Sequence, residues 1–269
     1  MTKQVVILSP SRYSLYTICV TELLRRQDIQ IASIFVRRLF NPSRFISEFG
    51  RDGSRLVRKI WKKLVLRDKA YGSRDYETMV TFMERESISY RKVDDFKDRV
   101  GIPVIYCKDL NDPVVVESLK EIRPELVVFT GGGLVREDVL KSSGAGVLNC
   151  HSGVLPTYRG MDVVEWPILE GNMDQVGMTV HFMDKGIDTG GILRVRKVNV
   201  GPQETIAQLR ERMEPIMCQE IVLACLDHLD GRLERQVQKL EDGKQYFVMH
   251  PRLVEISESK LAAGHSIIN

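Results

Sequence analysis

Short apolar runs alternate with amphipathic stretches along most of this chain. The runs at 4–8 (QVVIL) and 31–36 (IASIFV) read as buried strands, and residues 14–26 between them have helical spacing. The same pattern continues with helices near 113–122, 135–142 and 162–170 and strands near 103–106, 126–129, 147–149, 176–183 and 192–199. Strands that alternate with helices predict an α/β fold, an open Rossmann-like and mostly parallel sheet with helices on both faces.

Two breaks in this pattern define the expected domain organisation. Residues 39–99 interrupt the strand–helix order and are expected to form a helical insertion. The alternation of strands and helices also stops near residue 200. We therefore expect a main domain over 1–200, carrying the insertion, and a C-terminal appendage over 201–269.

The appendage is expected to contain helix and short strands. A long helical stretch begins near Thr205, and Pro215 within it is expected to kink or split the helix. Residues 240–249 (LEDGKQYFVM) read as two short strands joined at a glycine turn.

The composition is that of a globular chain, with 43% apolar and 28% charged residues. The net charge of +3 is too small to predict nucleic-acid binding. The N-terminal apolar run, residues 5–8, is too short for a signal peptide, and no stretch approaches the ~20 apolar residues of a spanning helix. The five cysteines form neither a CxxC pair nor a zinc-binding spacing, so we expect a cytoplasmic protein without a bound metal.

One segment of the insertion is strongly basic. Residues 55–69 (RLVRKIWKKLVLRDK) place Leu56, Ile60 and Leu64 on one helical face and basic residues on the rest. One interpretation is a surface helix with a solvated basic side. The other is weak contact of residues 51–69 with an anionic surface, either membrane headgroups or a phosphorylated ligand.

Three consecutive glycines follow a predicted strand and precede a predicted helix, which is the context of a dinucleotide-binding loop. Gly131 and Gly133 match the first two positions of that motif, but the third position falls on Arg136. No acidic residue ends a strand ~20 residues later, as ribose binding requires, so the spacing argues against nicotinamide chemistry. The glycines still allow a ligand to approach the backbone at the end of a strand.

Two polar side chains stand where another buried strand ends. If residues 147–151 (VLNCH) continue as a strand, Asn149 and His151 share one face and Cys150 lies on the other. Asn and His at a strand end also serve as caps or as partners of a loop, so this pair alone does not establish a site.

A second polar loop adds a carboxylate. Asp188 lies in HFMDKGIDTGGIL (181–193), where glycines after it permit a tight turn between two apolar strands. An Asn amide donates to a developing oxyanion, a His moves protons near neutral pH, and an Asp orients the His. The three residue types together are the parts of an acyl-transfer site.

Three blocks occur in order along the chain: NCHS at 149–152, VLPTYRG at 154–160 and GIDTG at 186–190. They resemble the formyltransferase family that uses 10-formyltetrahydrofolate as its formyl donor. The resemblance covers roughly residues 100–200 well, the first strands loosely, and residues 39–99 not at all.

The resemblance implies roles for individual residues. The catalytic group would be Asn149, His151 and Asp188. A folate site would be lined by Gly133, Leu134, Val135, Lys185, Gly186 and Ile187. Acceptor binding, with loop packing as the open alternative, is assigned to the residues after the proline turn: Tyr158, Arg159 and Gly160.

The implied reaction is direct attack of a primary amine on the formyl carbon. Asn149 and protonated His151 would hold the oxyanion of the tetrahedral intermediate, and Asp188 would help remove the amine proton. We expect a nucleotide-linked amino sugar as acceptor. The turn SPSRYS after the first strand lacks the glycines of the glycinamide ribonucleotide enzyme, and only 69 residues follow position 200, which is short for the second domain of the methionyl-tRNA enzyme. Methionyl-tRNA and other small amines remain alternatives.

Other classes of function also remain open. The chain could be a non-catalytic folate-binding protein, or it could bind a membrane surface or nucleic acid through residues 51–69. Homodimerisation is compatible with the sequence. His181 shares a strand face with Thr179 and Met183 and is interpreted as a structural residue near the site.

Overall fold

The computed structural model describes residues 3–38, 76–201 and 203–264. The strands are β1 (Gln4–Ser9), β2 (Gln30–Arg37), β3 (Val104–Cys107), β4 (Leu126–Phe129), β5 (Val147–His151), β6 (Tyr158–Gly160), β7 (Gly177–Phe182), β8 (Ile192–Lys197) and β9 (Lys244–Tyr246). The α-helices are α1 (Leu15–Arg26), α2 (Met79–Arg85), α3 (Asp94–Val100), α4 (Pro113–Ile122), α5 (Glu137–Lys141), α6 (Glu165–Glu170), α7 (Ile206–Leu229) and α8 (Pro251–Gly264). The predicted strands and helices of the main domain are present, with ends shifted by a few residues.

The main sheet has the strand order β3–β2–β1–β4–β5–β7–β8. From β3 to β5 all neighbouring strands are parallel, whereas β7 runs antiparallel to both β5 and β8. The chain leaves β1 towards one edge of the sheet and later returns as β4 on the other side of β1. At this change of direction the loops above neighbouring strands diverge, which opens a crevice at the carboxyl ends of the strands.

Alternating residues of β1 show how the sheet divides the core. Val5 and Ile7 pack on one face with residues of α1 and α7, while Val6 and Leu8 pack on the other with residues of α4 and α5. All four side chains are completely buried. A strand buried on both faces explains its unbroken apolar sequence, and the predicted α/β fold with helices on both faces is confirmed.

Of the two outcomes expected at Pro215, the split is wrong, because α7 continues unbroken from Ile206 to Leu229, and the kink stays a prediction. Pro215 is buried within the helix, and Met213 and Cys218 nearby belong to the main core. Packing of this buried face offsets the hydrogen bond that a proline in a helix cannot make.

The expected strand pair within 240–249 is also wrong. Leu240–Asp242 is a 3₁₀ turn, and the strand that follows, β9, pairs in parallel with β6. Gly243 has an extended backbone, and a Cβ atom there would lie 1.7 Å from the Pro156 carbonyl oxygen. This glycine therefore permits close approach of the appendage to the main domain, and it does not make a hairpin turn.

Part of the expected insertion can be compared with the structure. Residues 76–99 contain α2 and most of α3, which fits the expectation of helix. The basic segment 51–69 lies outside the described residues, so both interpretations of it remain predictions, as does the domain boundary near residue 200. Along the described ranges, no helix is both long enough and apolar enough to cross a membrane.

A buried carboxylate joins α7 to the edge of the sheet. Glu220 on α7 is 5% exposed and accepts hydrogen bonds from Arg194 Nε (3.0 Å) and Arg196 Nη1 (2.8 Å) on β8. Asp227, two turns further along α7, accepts a second bond from Arg194 at 3.0 Å. Charge-assisted hydrogen bonds of this kind fix the helix against the strand.

We expect Glu220→Gln to lower the free energy of unfolding by about 2 kcal/mol, because two charge-assisted hydrogen bonds lose their anionic acceptor. Urea denaturation followed by circular dichroism measures the change. Glu117→Gln, at an exposed position of α4, is the control and should leave the midpoint unchanged. Equal midpoints for all three proteins would show that the Glu220 cluster adds nothing to stability.

Candidate active site

The candidate site begins at the carboxyl ends of β1 and β4. The hydroxyl oxygens of Ser9 and Thr17 lie 2.9 Å apart, and those of Thr17 and Thr130 lie 2.8 Å apart. The Thr130 hydroxyl also donates to the Leu8 carbonyl at 2.8 Å. This buried chain of hydroxyl groups fixes the ends of both strands and the start of α1 beneath the glycine loop.

The end of β5 presents the predicted polar pair as the alternation required. Cys150 belongs to the main core, and Asn149 and His151 face the opposite way. The antiparallel pairing of β7 with β5 puts His181 opposite Asn149 and Thr179 opposite His151. The Asn149 Nδ2 atom lies 3.3 Å from His181 Nε2. A second histidine thus enters the site through strand register.

The loop after β7 brings the predicted carboxylate to the same place. Asp188 has a left-handed backbone (φ 53°), and the Gly160 N–H donates to its Oδ2 atom at 3.0 Å. That oxygen lies 3.5 Å from His151 Nδ1, and Oδ1 lies 3.5 Å from His181 Nε2. The structure therefore brings together Asn149, His151 and Asp188, as predicted, and adds His181, which had been interpreted as structural.

Main-chain carbonyl groups define which nitrogen of each imidazole carries hydrogen. His151 Nε2 donates to the Tyr158 carbonyl at 3.1 Å, and His181 Nδ1 donates to the Phe182 carbonyl at 2.8 Å. In the neutral rings, the lone pairs of His151 Nδ1 and His181 Nε2 consequently face Asp188 and Asn149. Three proton acceptors, two imidazoles and a carboxylate, surround one small volume.

Burial and charge set the protonation states of this group. Burial lowers the pKa of His151 below its ordinary value of 6.5, even though the Asp188 carboxylate acts to raise it. Burial of Asp188 favours its neutral form, but His181, His151 and the Gly160 N–H together outweigh burial and lower the pKa of Asp188. At pH 7 the free protein therefore holds a neutral His151 beside an ionised Asp188, so the expected protonated His151 is not the resting state.

A cavity of about 450 Å³ opens on the Asn149 side of the site. It lies between the ends of β4 and β5 and the first turns of α1 and α7. Its polar lining includes Ser14, Thr130, Asn149, Ser152, Arg210 and Glu214. This is the crevice expected at the point where the strand order reverses, and Asn149 is the member of the predicted catalytic group that lines it.

The two loops predicted to line a folate site lie side by side. Gly131, Gly132 and Gly133 all have positive φ angles, and a Cβ atom on Gly132 would lie 2.8 Å from Leu110 Cδ1. Leu134 is 69% exposed and Val135 is buried. On the opposite loop, Lys185 Nζ forms an ion pair of 2.9 Å with Glu137 Oε1, two residues beyond Val135. Gly186 and Ile187 continue this second loop towards Asp188.

The residues assigned to acceptor binding have partners within the protein. The Tyr158 hydroxyl donates to Glu170 Oε2 (2.8 Å), and burial together with Glu170 raises the pKa of this phenol to about 12. Arg159 is buried and donates to the Gly243 carbonyl at 3.0 Å, and Gly160 supplies the N–H bound by Asp188. These contacts are those of loop packing, and acceptor binding by the three residues stays a prediction. Among the described residues, no group of three His, Cys, Asp or Glu side chains is arranged to hold a metal ion.

Two relatives by sequence are methionyl-tRNA formyltransferases. Methionyl-tRNA formyltransferase of Geobacter metallireducens is 33% identical over 140 residues, 51% of this chain and 44% of that protein. Methionyl-tRNA formyltransferase of Geotalea daltonii is 32% identical over 168 residues, 58% of this chain and 53% of that protein. The chain spans about half the length of the curated relatives it matches.

Solved structures with the same fold are more varied. Glycinamide ribonucleotide transformylase 1 of Symbiobacterium toebii has a TM-score of 0.57 at 21% identity, with 89% of this chain and 94% of that chain covered. A sugar N-formyltransferase from a Shewanella species has a TM-score of 0.59 at 15% identity, with 97% and 88% covered. The family model described as formyl transferase matches residues 78–224, more than half of the chain and the part that contains Asn149, His151 and Asp188. On that match and the shared fold, the chain belongs to the formyl transferase family.

Proposed function

We propose that this protein transfers a formyl group from 10-formyltetrahydrofolate to a primary amine, and that the amine belongs to a nucleotide-linked amino sugar. The observation that carries the proposal is the convergence of Asn149, His151, His181 and Asp188 beside an open cavity. An oxyanion donor next to proton acceptors is what direct transfer of an acyl group to an amine requires. No covalent enzyme intermediate is needed, because the acceptor amine is itself the nucleophile.

Asn149 is suited to the negative charge that develops on the formyl oxygen. One amide hydrogen is directed at His181 Nε2, which orients the amide plane. The second amide hydrogen is then held ready for the oxyanion, and a donor that is oriented in advance loses little energy to reorganisation. His181 acts in this scheme as the residue that orients Asn149.

His151 and Asp188 are suited to the proton of the amine. Neutral His151 presents the lone pair of Nδ1 beside the Asp188 carboxylate, so a proton arriving at Nδ1 forms an ion pair there. Asp188 stabilises that imidazolium, because the carboxylate is already ionised at neutral pH. In this proposal His151 becomes charged when it takes the amine proton, and it returns to neutral when that proton is passed to the departing folate nitrogen.

The two loops beside Asp188 fit the folate donor in their chemistry. When bound, the donor supplies an activated formyl carbon and a nitrogen leaving group. Gly131–Gly133, with positive φ angles, lie at the carboxyl end of β4, and main-chain N–H and C=O groups suit the flat, donor- and acceptor-rich pterin ring. The Gly132 carbonyl is itself bound by Arg37. Asn111 holds this loop in place: its Nδ2 donates to the Leu134 carbonyl (2.8 Å), and its Oδ1 accepts from the Arg136 N–H (2.6 Å).

The cavity beside Asn149 supports a hydroxyl-rich acceptor. Arg210, its cationic lining residue, is paired with Glu165 through Nε (2.8 Å) and lies 3.7 Å from Asp162. Glu214, one turn further along α7, has no ion-pair partner among the described residues. Partial burial and the nearby Glu211 raise the pKa of Glu214. The lining therefore favours hydrogen-bond donors, such as sugar hydroxyl groups or an ammonium group, over a phosphate.

Methionyl-tRNA is the second candidate acceptor. The two relatives described above carry that name, and their alignments cover 51% and 58% of this chain. An alignment over about half of the chain supports the reaction more strongly than the acceptor.

A panel of acceptors tests the proposal directly. We expect the protein to release tetrahydrofolate from 10-formyltetrahydrofolate, and to add the mass of a formyl group, with a nucleotide-linked amino sugar. Charged initiator tRNA, glycinamide ribonucleotide and no acceptor are the other arms. Turnover with the tRNA alone would replace the amino sugar by the second candidate, and folate that neither binds nor turns over would refute the donor.

With the active acceptor, Asn149→Ala and Asp188→Asn should each lower kcat by at least about 100-fold, because one removes an oxyanion donor and the other the charge that stabilises His151. Asp98→Asn on α3 is a matched control at an exposed position. Normal turnover by either site variant would remove that residue from the catalytic group.

The protonation of His151 gives a second test, and its NMR part needs no acceptor. NMR titration of the ring signals should give His151 a pKa below 6.5, so that kcat/KM falls as the pH is lowered through that value. In Asp188→Asn the pKa should fall further, because the carboxylate acts to raise it. Asp98→Asn should titrate like the wild type. A His151 pKa above 6.5 would contradict the assigned resting state.

Glu214 offers a test of the acceptor cavity. We expect Glu214→Gln to raise the KM for the amino-sugar acceptor on the order of 10-fold, because a charged hydrogen-bond acceptor becomes neutral. The KM for the folate donor should not change, since Glu214 lies on the cavity side of Asn149. Steady-state kinetics with each substrate varied in turn, and Glu117→Gln as control, measure both values. Unchanged KM values for both substrates would place the acceptor elsewhere.

A further inference from the structure

The segment after α7 contacts both loops that form the site. We call residues 232–249 the tail segment. It runs from the end of α7 past the loop of Asp188, and then past the loop that contains β6. Its contacts with the two loops are made by different residues, so they can be considered separately.

The first set of contacts fastens the loop of β6. The Lys244 N–H donates to the Thr157 carbonyl (3.1 Å), and the Met161 N–H donates to the Tyr246 carbonyl (3.0 Å). A Cβ atom on Gly160 would lie 2.2 Å from that same Tyr246 carbonyl oxygen. The main chain of Gly160, which supplies the N–H bound by Asp188, is therefore pressed directly against β9.

The second set of contacts fastens the loop of Asp188. The Gln238 Nε2 atom donates to the Asp188 carbonyl at 3.1 Å and to the Gly190 carbonyl at 2.5 Å. Beside it, Gln236 and Ile192 exchange two main-chain hydrogen bonds of 2.8 and 2.9 Å. The side-chain amide of Gln238 thus spans the turn in which Asp188 adopts its left-handed backbone.

The tail segment therefore holds both the main chain and the side chain of Asp188. Its main-chain carbonyl is bound by Gln238, and its carboxylate is bound by Gly160, which β9 holds in place. We propose that Gln238 is a positioning residue: through the tail segment it fixes the Asp188 carboxylate between His151 and His181. The kinetic part of this inference rests on the proposed formyl transfer, and the structural part does not.

The physical reason is the geometry of Asp188. A non-glycine residue with positive φ needs surrounding contacts to hold it there, and two hydrogen bonds from one amide supply them. The carboxylate oxygens now lie 3.5 Å from the two imidazole nitrogens. Without Gln238 the carboxylate gains freedom to move away from them. Displacement of a catalytic group by about 1 Å is enough to lower a rate up to 100-fold.

The experiment compares Gln238→Ala with Lys239→Ala, an exposed neighbour whose side chain points into solvent. For Gln238→Ala we expect kcat to fall about 10-fold or more, with KM values close to wild type. The histidine ring signals of the full chain are recorded in parallel, without substrates. In Gln238→Ala the signals of His151 and His181 should shift, and the titration of His151 should move towards that of Asp188→Asn.

Gln238→Glu is the second variant, because it keeps the size of the side chain and replaces the two donors by acceptors. It should reproduce the loss seen with alanine, and Lys239→Ala should behave as wild type in both measurements. Signals of His151 and His181 that stay unchanged in both Gln238 variants would overturn the proposal. Shifted signals in a protein that transfers no formyl group would uphold the positioning role and refute the proposed function instead.

Discussion

The Asp188 carboxylate is the group around which the site is organised, because its two oxygens face an imidazole nitrogen on each of two neighbouring strands. At 3.5 Å from His151 Nδ1, the carboxylate favours the charged form of that ring, while burial favours its neutral form. Burial outweighs the carboxylate and leaves His151 neutral at rest. In the proposed reaction, proton transfer at His151 depends on this balance.

The register of β7 against β5 maintains the positions of the two histidines around Asp188. Asn149 and His151 were predictable from alternation at the end of a buried run, and Asp188 from a glycine-rich turn, because both signals are local. His181 was not, because its role depends on β7 pairing antiparallel with β5 at one particular offset. A one-residue slip would replace His181 by a side chain on the other face of the sheet. Thr179, opposite His151, fixes that offset by donating to the Gly153 carbonyl and accepting from the Leu155 N–H.

The fold class was also predictable, because it too depends on local signals in the sequence. Strands that alternate with helices imply a parallel sheet whatever their order, so the architecture was confirmed although the antiparallel edge was not foreseen. The strand pair expected at 240–249 was wrong, because β6 and β9 are three-residue strands whose pairing joins distant parts of the chain. Pro215 does not end α7, because burial of the helix overrides a local helix breaker. Where packing over long distances decides the outcome, local signals in the sequence say little.

The pairing of β6 with β9 has a consequence for the order of events during folding. The hydrogen bond from Arg159 to Gly243 closes a span of 84 positions, and that from Met249 to Asp162 closes one of 87. β9 follows every strand of the main sheet along the chain, so it is synthesised after them, and these contacts cannot form before it. As the chain emerges from the ribosome, the sheet and its histidines can assemble before the last strand exists. The contacts that hold Gly160, and through it Asp188, therefore form only after residues 244–246 have been synthesised and have paired with β6.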